Sequence, residues 1–234
     1  MAITEEKMKH RLKTKALLCV LALALVPQLL SAQWKLSVNA GALYNMYSID
    51  KQFMTDYRYE GAWGYTTDIV AQYNFTDWFG LRAGLTACQR NYRHTRYQMA
   101  NDLNMLYRND YLLLPIAAQF SFGGKAVRGL VGLGVYGGFW LNSHRSGVDY
   151  SSINDEHFDF SEKVPFNKEK DQRWDFGYTA TLGIEWQVAA HWAIQAEAVG
   201  YYSVVSSVKQ YMAHVKDYRY NTSLGLRAGV IYLF

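Results

Sequence analysis

The sequence predicts an all-β fold, an eight-stranded antiparallel transmembrane up-and-down β-barrel. Three observations predict it: the two faces of the last seventeen residues differ in kind, seven further stretches show the same alternation, and the connections between them alternate between short and long. From Tyr218 to Phe234 the even positions Tyr220, Leu224, Leu226, Ala228, Val230, Tyr232 and Phe234 are apolar or aromatic, with Thr222 among them. The odd positions Arg219, Asn221, Ser223, Gly225, Arg227 and Gly229 are small or polar, and Ile231 and Leu233 break that face near the end. An extended chain sends these sets to opposite faces. A soluble barrel alternates too, but it needs bulky apolar residues inside and long solvated ones outside. Here the polar face is mostly small, as a narrow lumen requires, and the apolar face is bracketed by aromatics, as an interfacial girdle requires.

Before the first strand comes a leader. The apolar stretch from Ala16 to Leu30 is preceded by Lys9, Arg11, Lys13 and Lys15 and broken by Pro27, and Leu30-Ser31-Ala32 ends it on a small residue. This is the pattern of a secretory signal peptide. Residues 1–32 are expected to be removed by cleavage after Ala32, leaving a barrel domain over 33–234, and Met8 offers a better start than Met1 because Met8-Lys9-His10-Arg11 forms a more ordinary basic head. Without the leader's five basic and two acidic residues the chain has 19 Lys or Arg and 18 Asp or Glu, a net charge of +1. The basic balance therefore belongs to the leader and gives no ground for nucleic-acid binding. Cys19 lies in the leader after a Leu18 too bulky for a lipoprotein site, so Cys88 is left without an intramolecular partner and reads as a small buried side chain.

The strands follow in order. Trp34, Leu36, Val38, Ala40, Ala42 and Tyr44 define the apolar face of the first, and Tyr65, Thr67, Ile69, Ala71, Tyr73 and Phe75 that of the second. After Thr76-Asp77-Trp78 the third sets Phe79, Leu81, Ala83, Leu85 and Ala87 against Gly80, Arg82, Gly84, Thr86, Cys88 and Arg90. The fourth, about 110–122, contains Pro115, and a proline inside a strand predicts a bulge there. The fifth, about 131–141, presents Gly132, Gly134 and Gly138 on its inward face, which leaves lumen space. The sixth, 174–188, alternates without a break; the seventh begins at Trp192; the eighth is the terminal strand. An even number lets first and last pair and leaves no open edge in hydrocarbon. Links after the second, fourth and sixth strands are short. Those expected at 45–63, 91–109, 142–173 and 203–217 are long, the asymmetry of periplasmic turns and extracellular loops.

With these residues set out, the chain resembles the Bacteroidetes outer-membrane β-barrel family of PorT-like proteins, within the OmpA and OmpX type of eight-stranded barrel. The resemblance is carried by Leu30-Ser31-Ala32-Gln33, by Asp110-Tyr111-Leu112-Leu113-Leu114-Pro115-Ile116, by Asp175-Phe176-Gly177 with Gly183-Ile184-Glu185-Trp186, and by Tyr232-Leu233-Phe234. It implies residence in the outer membrane as a multi-pass barrel and insertion by the β-barrel assembly machinery, with Tyr232 and Phe234 as the assembly signal. It also implies an accessory role in type IX protein secretion.

The inward charges Asp68, Arg82, Glu185, Glu197 and Arg227 are expected to form a lumen network, with Arg82, Glu185, Glu197 and Arg227 close enough in height to meet and plug the barrel. An ion or small-solute pore is the alternative. Glu185 and Glu197 are poor candidates for acid–base chemistry because neighbouring arginines keep carboxylates ionised. A lipid-modifying enzyme is the second alternative, with Ser143, His144 and Asp149, or Ser206 and Ser207 with His214 and Asp217, as trios. The histidines show no metal-ligand spacing, no nucleophile elbow or phosphate loop is present, and neither enzyme activity nor a cofactor is expected. In the second long loop Arg93, Arg96, Tyr97 and Arg108 form an expected contact surface for lipopolysaccharide phosphates, where guanidinium forks bind well. The third loop is acidic through Asp149, Asp155, Glu156, Asp159, Glu162, Glu169 and Asp171, which offer a partner or divalent cations a site. A structural or interaction barrel acting through these loops, on outer-membrane lipid and on a secretion-system or surface protein partner, is the expected function.

Overall fold

A computed structural model describes residues 33–51, 57–96, 103–151, 156–210 and 216–234; the expected signal peptide, residues 1–32 with its cleavage point at Ala32, lies outside them. Ten strands form: β1 (Gln33–Lys51), β2 (Tyr57–Asn74), β3 (Phe79–Gln89), β4 (Tyr92–Arg96), β5 (Leu103–Gly123), β6 (Val127–Ser151), β7 (Glu156–Lys163), β8 (Trp174–Gln187), β9 (Trp192–Ser203) and β10 (Asp217–Leu233). Eight of them close a ring. Each of β1, β2, β3, β5, β6, β8, β9 and β10 pairs antiparallel with the next, and β1 and β10 pair along their whole length, from Lys35 opposite Leu233 to Lys51 opposite Asp217. Closure satisfies the backbone groups that hydrocarbon cannot, which is why the sequence needs both ends of the sheet to be long.

The two remaining strands extend the wall. β4 continues the line of β3 beyond Arg90 and Asn91, pairing with β2 and β5, and β7 pairs with the far end of β6. Where β3 breaks, one backbone bond and two side chains carry the ladder: the Arg90 N–H donates to the Asn109 carbonyl at 2.9 Å, the Asn109 side-chain amide donates to the Arg90 carbonyl at 3.2 Å, and Asn91 Oδ1 accepts from the Asn109 N–H at 3.2 Å. Much of the expected long connections is thus strand, because β2, β5 and β6 rise well past the apolar band. The bulge expected at Pro115 is absent: Pro115 stands in register with Tyr136, and it leaves only a gap in the pairing with β3, where its missing N–H cannot donate. The register shift lies at Asp110/Tyr111, where Leu141 is the extra residue on β6. Gly123 turns the chain into β6 at a φ of 119°, in the left-handed region open to glycine.

The faces are assigned as expected. Even positions of β1, β8, β9 and β10 point out, with Leu226 70% and Leu182 65% exposed, while Asn39, Glu197 and Arg227 point in and are buried. A continuous apolar band on the outer wall with a polar interior inverts a soluble protein and matches lipid outside. Aromatic pairs rim the short-turn end, among them Trp34 with Tyr73, Trp192 with Tyr232 and Trp78 with Phe120.

Candidate functional site

The lumen is filled from the short-turn end upward in layers of charge. Lowest, Lys35 Nζ donates to both Glu185 oxygens at 2.6 and 2.7 Å. Next, Glu197 takes Arg82 Nη1 on Oε1 at 2.7 Å and Arg227 Nη2 on Oε2 at 2.8 Å, while Arg227 Nη1 pairs with Asp68. Asn39 adds a bond to Asp68 Oδ1 at 2.6 Å, and Gln119 accepts from Arg82 at 3.0 Å. Asp68, Arg82, Glu197 and Arg227 are therefore brought together in one network. Glu185 does not join them: its strand position pairs it with Lys35, a lower partner that lysine's place on the polar face of β1 had signalled. Arg219, also on the inward face, pairs with Asp217 far above at 2.8 Å.

Above the ion pairs lies a plug that the reading of the charges did not assemble. Arg90 has no exposed surface; it pairs with Asp175, and the faces of Tyr136, Tyr111 and Tyr201 surround its guanidinium at 5.1, 5.2 and 5.7 Å. Tyr136 donates to Asp175 at 3.1 Å, as does Ser203. Leu43, Cys88, Leu113 and Val199 pack with the same tyrosines, and Trp140 stacks on Tyr111 at 5.8 Å. The inward tyrosines were the signal: a large ring on a face otherwise made of glycine has no place except the middle of the lumen. The glycines of β6 make room for side chains and not for solute. A Cβ at Gly132 would meet Thr181 Oγ1 at 2.3 Å, and one at Gly138 would meet Leu113 Cδ2 at 2.5 Å. The void among Arg82, Tyr201 and Arg227 measures about 10 Å³, no more than a single water needs.

Past the plug, the wall forms a collar. On its inner side Tyr47 stacks on Tyr92 at 4.2 Å and Tyr92 on Tyr107 at 4.8 Å, with Tyr59 on His94 at 4.6 Å. Burial pushes the Tyr92 phenol well above its usual range, so it stays neutral. Tyr47 and Tyr59 face this stack, whereas Trp63 and Tyr65 face out with the girdle.

The expected contact surface divides. Arg93 and Arg108 are exposed on the outer wall, but Arg96 shares the face of Tyr92 and His94, and Tyr97 lies outside the described residues. The trio of Ser143, His144 and Asp149 does not assemble. Ser143 Oγ is buried and donates to Asn109 Oδ1 at 2.8 Å, whereas His144 faces the other way, 2.9 Å from Ser161 Oγ. Ser206 donates to the Val208 carbonyl, Ser207 meets Tyr47 Oη, Asp217 holds Arg219, and His214 is outside the described residues. Asp155 is likewise outside them, and among the described residues no group of three acidic, histidine or cysteine side chains is placed to hold a metal ion.

Among solved structures the chain is similar to the outer membrane protein OprG of Pseudomonas aeruginosa, with 13% identity over 86% of this chain and 95% of that one and a TM-score of 0.50. It is also similar to Neisserial surface protein A, with 17% identity, 87% and 99% coverage and a TM-score of 0.43. Ail of Yersinia pestis gives 15% identity, 86% and 99% coverage and a TM-score of 0.40. The likeness to OprG shows the fold alone. No curated protein matches the sequence. The family model described as "Outer membrane protein beta-barrel domain" matches residues 27–209, and with a closed ring, a lipid-facing apolar band and a polar lumen already in place, the chain belongs to that family of outer-membrane barrels.

Proposed function

We propose that the protein is a sealed barrel that acts at the outer membrane as a structural or interaction protein through its collar and long connections, and not as a solute channel. The observation that carries this reading is the stacked plug. Across one lumen Lys35–Glu185, Arg82–Glu197–Arg227–Asp68 and Arg90–Asp175 balance charge for charge, and a ring of tyrosines closes the space above them. Paired charges in a dry interior hold each other in place, since removing either partner strands the other. Small solutes therefore meet side chains at every level. Reconstituted in planar bilayers, the protein should show no large, steady single-channel current, and Arg82→Ala should introduce a small leak by opening the middle layer; a stable open conductance in the wild type would defeat the sealed reading.

The finer reading places the chain in the PorT-like branch, as an accessory of type IX secretion inserted by the β-barrel assembly machinery. Its support is the sequence resemblance and the terminal aromatic strand. The partners it names are outer-membrane lipid, lipopolysaccharide and a secretion or surface protein. Mild crosslinking in native membranes followed by co-purification tests it: recovery of secretion-system components supports the role, and recovery of the assembly machinery and lipid alone removes it.

A further inference from the structure

The outer wall of the collar carries two cations set on either side of a histidine, in a row that crosses three strands. Arg108 on β5 stands directly opposite His144 on β6, and His144 directly opposite Lys163 on β7. Parity fixes their direction: Arg108 shares its face with Leu112 and Leu114, which meet lipid, whereas Tyr107 and Asn109 turn inward. Arg93 lies on the same outer face, opposite Leu106 and so diagonal to Arg108. Arg108, Lys163 and Arg93 are exposed, and among the described residues no carboxylate pairs with any of them. Acids on this face stand to the sides of the row: Asp110 accepts from Gln89, Asp159 stands opposite Val148, and Glu60 stands opposite Arg93 and has a partner of its own.

Arg108 and Lys163 stand two strand spacings apart, roughly 10 Å, on either side of His144. Among the described residues the two cations have no counter-charge of their own on this face. Its height is informative. At about 3.3 Å per residue, Arg108 lies roughly 13 Å along the strand beyond Leu112, and headgroups extend roughly 5 to 8 Å beyond each side of the hydrocarbon core. With a tilted strand and the reach of an arginine, the row stands beside the headgroup layer, facing sideways into it and not up into solvent.

The geometry points to Arg108 and Lys163, with Arg93 beside them, as a binding site for the phosphate groups of an outer-leaflet glycolipid. Guanidinium forks and a lysine point charge take phosphate oxygens through charge-assisted bonds, and the anion supplies the counter-charge that the wall lacks there. His144 spaces the two cations, and its Nε2 is held by Ser161. The site replaces the expected Arg93, Arg96, Tyr97 and Arg108 set with one that the β5–β6–β7 register assembles. It rests on the reading of the collar as the working surface and not on the seal: a conducting barrel would defeat the sealed reading and leave this site standing.

The test is the midpoint of thermal unfolding of the full barrel in neutral detergent, with diphosphorylated lipid A, dephosphorylated lipid A or inorganic phosphate added. Diphosphorylated lipid A should raise the midpoint of the wild type by several degrees, and dephosphorylated lipid A and millimolar inorganic phosphate should leave it nearly unchanged. In the double variant Arg108→Gln, Lys163→Gln that rise should fall by more than half, while Arg128→Gln at the opposite rim keeps it. Without lipid the double variant should melt no lower than wild type, which separates lost binding from lost folding. An equal rise in the double variant, or an equal rise with dephosphorylated lipid A, overturns the site. A rise with inorganic phosphate alone overturns the assignment to lipid.

Discussion

Arg90 is the residue on which the upper lumen depends. It is enclosed by three tyrosine faces and held by Asp175, a setting in which cation–π attraction is worth about 2 kcal/mol or more because water is excluded. Truncating one partner of such a buried pair is costly because the other is left charged and unsolvated, by roughly 3–5 kcal/mol. Arg90→Ala should therefore lower the unfolding free energy in detergent by about that amount, measured by urea titration of the tryptophan signal. Arg90→Met combined with Asp175→Leu should recover most of it, since packed apolar residues serve a buried site as well as an ion pair does. If the double variant is as unstable as the single one, the tyrosine contacts and not the stranded Asp175 carry the loss. Cys88, also buried in this cluster, needs no chemistry to explain its place.

Among the elements, β10 shows how one strand serves two solvents. Its even side chains meet lipid while Asn221, Ser223 and Arg227 meet the lumen. Leu226→Arg should cost roughly 2–4 kcal/mol near the midplane, whereas Thr181→Ser on the inner face of β8 should cost less than about 1 kcal/mol; the reverse order in lipid-bilayer unfolding would overturn the assignment of faces. At the end of the strand, Phe234 is 68% exposed, its N–H donates to the Trp34 carbonyl at 3.1 Å, and its ring meets Tyr232 edge-on at 4.9 Å. Little apolar surface is buried there, so deleting Phe234 should leave refolding and stability in detergent near normal while reducing insertion in cells, as a signal read by the assembly machinery would. Equal loss in both assays would make it a structural residue. The β3–β4 junction shows the other way in which an element is made: the Asn91 and Asn109 side chains, the latter bonding the Arg90 backbone, replace missing rungs so that the wall can continue.

At the scale of the whole molecule, closure and filling go together. A ring of eight strands is narrow enough for side chains to reach across it, which is why Lys35 meets Glu185 from 150 residues away. Opposite signs on strands remote in sequence then choose their partners by height in the lumen. Processing also belongs to this scale: secretion should remove the leader after Ala32, and amino-terminal sequencing of protein from outer membranes should begin at Gln33. A mature chain beginning elsewhere would move the leader boundary.

The sequence by itself determined the strand count of the ring, the direction of every spanning face and the placement of Asp68, Arg82, Glu197 and Arg227 in the lumen. Period-two alternation is a local property, and lipid outside with a narrow interior leaves one way to orient it. Tertiary structure alone decided the partners. Lys35 instead of an arginine for Glu185, Asp175 with the three tyrosines for Arg90, and the outward row of Arg108, His144 and Lys163 all depend on strand register and barrel stagger. A one-residue slip would turn each of these side chains to the other face, and nothing in a strand's own pattern states how far it slides against its neighbour.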